Sequence, residues 1–201
     1  PIDRKVRLDD INGHGTHIAG IIAAQSNNQL GVTGVCSGCK IMALQAGKNN
    51  DFSTETISNA IDYAVANNAD IINMSFGGIF DLSDPATAAS DQLLEERIEN
   101  AINNDVICVA AAGNDKLNVN DNHFVPAVYS NVFTVSASDN NGDFVAAWNT
   151  IAGSNFGQSV DIMAPGTSIL STYINLNSQN NVYNAIDGTS MAAPMISGAL
   201  G

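Results

Sequence analysis

Short apolar runs alternate with helix-period segments from one end of this chain to the other, and that alternation constrains the fold more than any other feature. Residues 41–44, 70–74, 106–112, 132–137 and 160–164 are short and rich in Val, Ile and Ala, as expected of strands buried on both faces of a parallel sheet. Between them, His17, Ile18, Ile21 and Ile22 follow the spacing of one helix face; Ile57, Ile61, Ala64 and Val65 repeat it, and Leu94, Ile98, Ala101 and Ile102 do so again. The order helix, strand, helix, strand, helix, strand predicts an α/β domain joined by right-handed crossovers, a mostly parallel sheet flanked by helices. With 201 residues, the chain is expected to form a single domain spanning residues 1–201.

Segments 81–91, 114–122 and 174–181 are polar and turn-rich and read as connections. In an α/β sheet, ligands bind beyond the carboxyl ends of the strands. Ser75-Phe76-Gly77-Gly78 and Ala112-Gly113-Asn114 follow strand-like runs directly, so both are expected to line a cleft.

Twenty acidic residues against seven basic ones give a formal charge of −13. That balance opposes binding to nucleic acid or anionic lipid. No apolar run approaches the ~20 residues that a membrane-spanning helix needs. Of three cysteines, Cys36 and Cys39 form a Cys-x-x-Cys followed by a strand-like run rather than a helix, with no second pair or nearby histidines to complete a zinc site. A short-loop disulfide and two idle thiols are the readings left open. Cys108, inside an apolar run, reads as a small core residue.

Three blocks carry chemistry: Asn12-Gly13-His14-Gly15-Thr16-His17, Ala110-Ala111-Ala112-Gly113-Asn114 and Gly188-Thr189-Ser190-Met191-Ala192-Ala193-Pro194. They supply a base, an amide donor and a nucleophile. A serine hydroxyl attacks a carbonyl when an imidazole takes its proton, and the resulting oxyanion needs fixed hydrogen-bond donors. His14 is expected at a helix start with Asn12 as cap. His17, one turn on beside Ile18 and Ile21, reads as a packed, internally bonded histidine. Ser190 is expected at the N-terminus of a helix whose first turn contains Pro194, where free N–H groups favour negative charge. Asn114, after an apolar run and Gly113, can project its amide into the cleft.

These blocks, in the order His, Asn, Ser, resemble the subtilisin-like (subtilase) serine proteases over nearly the whole chain. The resemblance implies a subtilisin-like three-layer fold and a serine endopeptidase working through an acyl-enzyme, with Ser190 as nucleophile, His14 as general base and Asn114 in the oxyanion hole. It further implies that Ser75, Phe76 and Gly77 on one side and Ala111, Ala112 and Gly113 on the other form two backbone rails for an extended peptide, with Phe124 near the floor of the primary specificity pocket. Gln25 to Val32 resembles the family's calcium loop. Asn28, through its side chain, and Gln25, Leu30 and Val32, through their carbonyls, would then hold a structural calcium ion, which the chemistry itself does not require. Protein or peptide substrates, an inhibitory prodomain and secretion are likewise implied, with neither nucleic acid nor membrane as partner.

The resemblance breaks at the third triad member. The family carries an Asp at the end of a buried strand a few dozen residues before the His, and nothing of that kind precedes His14. Asp3 stands beside Arg4-Lys5, while Asp9 and Asp10 are too close to His14 in sequence and read as loop or helix-entry charges. A domain truncated at both ends, lacking its Asp-bearing strand and inactive in isolation, is therefore expected. The alternative is a non-catalytic pseudoprotease that binds peptides or acts as a scaffold. An α/β-hydrolase esterase is excluded by the order of His before Ser.

Overall fold

The computed structural model describes residues 10–47, 52–174 and 182–201. Its central element is a parallel sheet in the order β1 (Ile71–Met74), β3 (Ile107–Ala111), β5 (Phe133–Ser138) and β6 (Ile162–Pro165). Helices α2 (Thr54–Ala66) and α3 (Pro85–Asn103) cover one face, and α4 (Thr189–Leu200) covers the other. The third strand in chain order explains the layering, because successive side chains of a strand point to opposite faces. Cys108 and Ala110 meet Ile57, Ile61, Leu94 and Ile98 of α2 and α3, whereas Val109 and Ala111 meet Ala192 and Ala193 of α4. Both faces are therefore apolar, as the continuous run 106–112 requires. Burial also pushes the Cys108 thiol up to about 11, leaving it an inert core group.

Local sequence sets the helix starts. Ser53 accepts from Thr56 N at 3.2 Å to cap α2, and Asp84 accepts from Thr87 N at 2.8 Å to cap α3. Pro85 occupies the first turn of α3, where its missing N–H costs nothing. This cap overrides the polar composition of 81–91: the expected connection ends at Asp84 and the rest is helix. Asp91 lies within that helix, buried, because Tyr129 and His123 hydrogen-bond its carboxylate.

Three further expectations need correction. Residues 41–44 form no strand, and Ile41, Met42 and Leu44 are exposed, since no described segment runs alongside them to complete a ladder. Pro194 lies inside α4 rather than in its first turn. The Ser190 carbonyl that Pro194 cannot serve accepts instead from Ser75 Oγ at 2.9 Å. Asn12 does not take the cap position of α1 (His14–Ala23); Gly13 does, at φ 88°, although Asn12 Oδ1 accepts from His14 N at 3.2 Å.

Two small pairings carried no sequence signal. β2 (Gly78–Ile79) pairs with β4 (Phe124–Val125), and β7 (Ile169–Tyr173) pairs with β8 (Val182–Ile186), both antiparallel. The connection expected at 174–181 falls, apart from Ile174, outside the described residues. Among the described residues no helix is long and apolar enough to cross a membrane.

Candidate active site

Helix α1 and the residues that lead into it are held through backbone carbonyls. Ser171 Oγ donates to His17 O, Thr172 Oγ1 to Thr16 O and Tyr173 Oη to Asn12 O, each at 2.8 Å. Gly20 lets the helix approach these hydroxyls, since a side chain there would collide with Ser171 and Thr172. His17 is fully buried, and its Nε2 is 3.0 Å from both Ile169 O and Asn184 O. Two carbonyl acceptors require the proton on Nε2, so His17 serves as a structural pin between α1 and the β7–β8 hairpin.

Asp10 organises the helix entry. Its Oδ1 accepts from Asn12 N at 3.0 Å and Gly13 N at 2.7 Å, and its Oδ2 from Thr16 N at 2.9 Å and Thr16 Oγ1 at 2.7 Å. Burial alone would push this carboxyl up, but the hydrogen bonds together hold it below the usual carboxylate range. Asp10 is thus the helix-entry charge that its position suggested.

His14 opens α1, half-buried. Burial pulls its pKa down and neighbouring His17 lowers it further, while Asp10 acts in the opposite direction. The neutral imidazole, the form able to accept a proton, therefore prevails at neutral pH. The folded pKa lies below the unfolded value near 6.5, so the unfolded state binds the proton more tightly. Stability from neutral His14 is complete above that value and is lost as pH falls below it. The thermal midpoint is expected to drop between about pH 7.5 and about pH 5, with a smaller drop in His14→Gln. Identical pH dependence in both proteins would contradict this.

Ser190 occupies the first turn of α4, which packs against α1. Its hydroxyl donates to Ser75 O at 3.3 Å, and among the described residues no carboxylate or hydroxyl hydrogen-bonds the His14 ring. A polar relay fixes the Ser190 backbone: Ser197 Oγ donates to Asn73 Oδ1 at 2.8 Å, Asn73 Nδ2 to Ser75 Oγ at 2.9 Å, and Ser75 Oγ to Ser190 O.

Asn114 is oriented from one side. Its Oδ1 accepts from Thr189 N at 2.9 Å and Thr189 Oγ1 at 3.0 Å, and Thr189 Oγ1 itself accepts from Gly113 N at 3.0 Å. With the oxygen end tied, Nδ2 is left as the donor, and the amide as a whole lies beside Gly188, whose Cβ position would be 3.6 Å from Nδ2 and 3.7 Å from Oδ1. Asn155, fully buried and unmarked in its loop sequence, supports this turn. It accepts from Asp115 N at 2.8 Å and Leu117 N at 3.0 Å and donates to Ala112 O at 2.9 Å.

Ser75, Phe76 and Gly77 leave the end of β1, and Ala112 and Gly113 leave the end of β3 after Ala111, so the two segments stand at the same edge of the sheet. Gln25, Asn28, Leu30 and Val32 lie apart from them, in a loop whose residues 25–33 line a hollow of about 340 Å³. Cys36 and Cys39 form a disulfide, which resolves the two readings left open. Among the described residues no group of three His, Cys, Asp or Glu side chains is placed to hold a metal.

A parallel sheet between helix layers, with a serine at a helix start and an asparagine amide at an adjoining strand end, defines an α/β domain of the subtilisin-like type. A model of the subtilase family matches residues 2–201, and the chain belongs to that family. It is 38% identical over 197 residues to the major intracellular serine protease of Bacillus subtilis (strain 168), covering 96% of this chain and 55% of that protein. It is 37% identical over 191 residues to thermitase of Thermoactinomyces vulgaris, covering 94% of this chain and 60% of that protein. Among solved structures, a protease from Pseudoalteromonas arctica matches with a TM-score of 0.79 at 32% identity, over 92% of this chain and 56% of that one. The chain thus spans little more than half the length of these relatives.

Proposed function

We propose that the protein containing this chain is a serine endopeptidase. The observation that carries this reading is Asn114: its oxygen is tied to Thr189, leaving its amide as a donor beside the start of the helix that bears Ser190. In this mechanism the Ser190 hydroxyl gives its proton to the His14 imidazole as the Oγ–C bond forms with the substrate carbonyl carbon. Asn114 Nδ2 and a backbone N–H at the α4 start then receive the oxyanion. The imidazolium returns the proton to the leaving amine as the C–N bond breaks, and water, deprotonated by His14, hydrolyses the acyl-enzyme. An extended substrate hydrogen-bonds between residues 75–77 and 111–113 as an added strand. The test is digestion of an unfolded protein by the full-length protein, with cut sites mapped by mass spectrometry. Cleavage lost in Ser190→Ala is expected, whereas retention of the substrate without cleavage would favour the peptide-binding alternative. That alternative rests on the Ser190 hydroxyl being bonded to Ser75 O rather than to an imidazole. For the 201-residue chain alone we infer low activity, because among the described residues no carboxylate orients His14.

The calcium loop fits a hard cation in its donor chemistry. Asn28 Oδ1 accepts from Leu30 N at 2.9 Å and keeps a second lone pair, and the remaining donors are the carbonyls of Gln25, Leu30 and Val32. Gly31 turns the loop at φ 43° beneath Tyr183, whose ring leaves no room for a side chain. Calcium in excess should raise the thermal midpoint relative to chelator, since an ion bound only by the folded loop stabilises it. Equal midpoints would remove the site. Secretion is the location we favour, on the Cys36–Cys39 disulfide, which persists in oxidising surroundings. The intracellular Bacillus relative means that family membership alone does not carry this point.

A further inference from the structure

We propose that Asn73 and Ser197 are positioning residues for the nucleophile: through the Ser75 side chain they replace the helix N–H that Pro194 withholds from the Ser190 carbonyl. The inference rests on the peptidase reading and adds residues to it. In a regular helix the donor to Ser190 O is the N–H of residue 194, which proline lacks. Ser75 Oγ takes that place at 2.9 Å, and the Ser75 carbonyl accepts from Ser190 Oγ at 3.3 Å. One residue just beyond the end of β1 therefore holds both the backbone and the hydroxyl of Ser190. The same residue opens the segment 75–77, so this double contact sets the nucleophile against the substrate strand.

A serine hydroxyl has one proton, and Ser75 has two acceptors within reach of it. Asn73 Nδ2 donates to Ser75 Oγ at 2.9 Å, which leaves the Ser75 proton for Ser190 O, and Asn73 Oδ1 in turn accepts from Ser197 Oγ at 2.8 Å. The same chain of groups can run backwards. Ser75 then donates to Asn73 Oδ1, Asn73 Nδ2 to Ser197 Oγ, and Ser197 to Ala193 O, which lies 3.2 Å from it. Reversal takes the Ser75 proton away from Ser190 O and gives Ala193 O a second donor, since the α4 ladder already directs the N–H of residue 197 there. The forward sense therefore prevails. Ser75 and Ser197 are 7% and 3% exposed, and Asn73, opposite Val109, lies on the sheet face that α4 covers, so water is a poor substitute for any member.

Asn73 thus acts through the polarity of its amide rather than its bulk. Aspartate has the same shape but, when ionised, only accepts, so it draws the Ser75 proton to itself. Alanine removes the competing acceptor and leaves Ser75 free to donate to Ser190 O. The isosteric change should therefore do more harm than the truncation, the reverse of what a packing role gives.

The experiment measures kcat and KM of the full-length protein on one peptide anilide at about pH 8, where a carboxylate facing two hydroxyl donors is ionised. Active enzyme is counted by fluorophosphonate labelling. Ser75→Ala, Asn73→Asp, Asn73→Ala and Ser197→Ala are compared, each alone and combined with Pro194→Ala. Ser75→Ala and Asn73→Asp should lower kcat by about tenfold or more with KM little changed, and the other two by less. Pro194→Ala gives Ser190 O a helix N–H, so in that background the first two losses should shrink to about threefold or less. Losses undiminished by Pro194→Ala, or Asn73→Asp no worse than Asn73→Ala, overturn the inference and leave the peptidase reading standing. The second comparison decides the matter alone if Pro194→Ala fails to fold. Failure of the unaltered protein to cleave any peptide overturns the peptidase reading and this inference with it.

Discussion

Replacing Ser190 by Ala in the full-length protein is expected to lower peptide turnover by about 10⁴-fold or more, a magnitude carried over from serine proteases generally. His14→Ala should cost about as much, and the double variant should be hardly worse. The reason is chemical: without the imidazole the serine is a weak nucleophile, and without the serine the imidazole has no proton to take. Both side chains stand at the starts of packed helices, where the backbone is fixed by hydrogen bonds that neither side chain makes. Neither substitution should therefore unfold the domain. Steady-state turnover of the four proteins is the measurement, and losses that multiply between the two sites would contradict a shared role.

Asn114→Ala should lower turnover by about 10²- to 10³-fold with KM little changed, the range seen when such a donor is removed from a subtilisin oxyanion hole. Its amide is needed where negative charge develops, not where the neutral carbonyl first binds. Substitution also removes the acceptor for Thr189 N and Oγ1, so Asn114→Asp, which keeps an acceptor but loses the donor, is the better control. A loss in Asn114→Asp at least as large as in Asn114→Ala would assign the effect to the donor, since the acceptor is kept and the new carboxylate also repels the oxyanion. A large rise in KM with turnover preserved would place Asn114 in substrate binding instead.

Much of this molecule was legible in its sequence because period and burial agree. The continuous run at 106–112 becomes a strand packed on both faces, and Ile57, Ile61, Leu94 and Ile98 become the helix faces that meet it. What escaped had no local cause. Residues 41–44 have strand composition yet lie exposed, because a strand needs a neighbour that composition cannot reveal. Pro194 appeared to mark a first turn, but a serine 119 positions earlier in the chain satisfies the carbonyl it leaves unserved. Asn155 lies in a Gly-Ser-Asn-Phe-Gly run that reads as an ordinary turn, and its three backbone partners come from residues 112–117. The blocks around His14, Asn114 and Ser190 stand out in the sequence because each is compact, although Thr189, 75 positions away, is what orients the Asn114 side chain.

The most direct measurement is covalent labelling of the full-length protein by a serine-directed fluorophosphonate, with the modified residue mapped and the rate compared with that of the 201-residue chain. Rapid labelling of Ser190 alone, abolished by His14→Ala and much slower in the 201-residue chain, is the expected result. Labelling at another serine, or equal rates with and without His14, would contradict the assignment of Ser190 and His14 as a working pair.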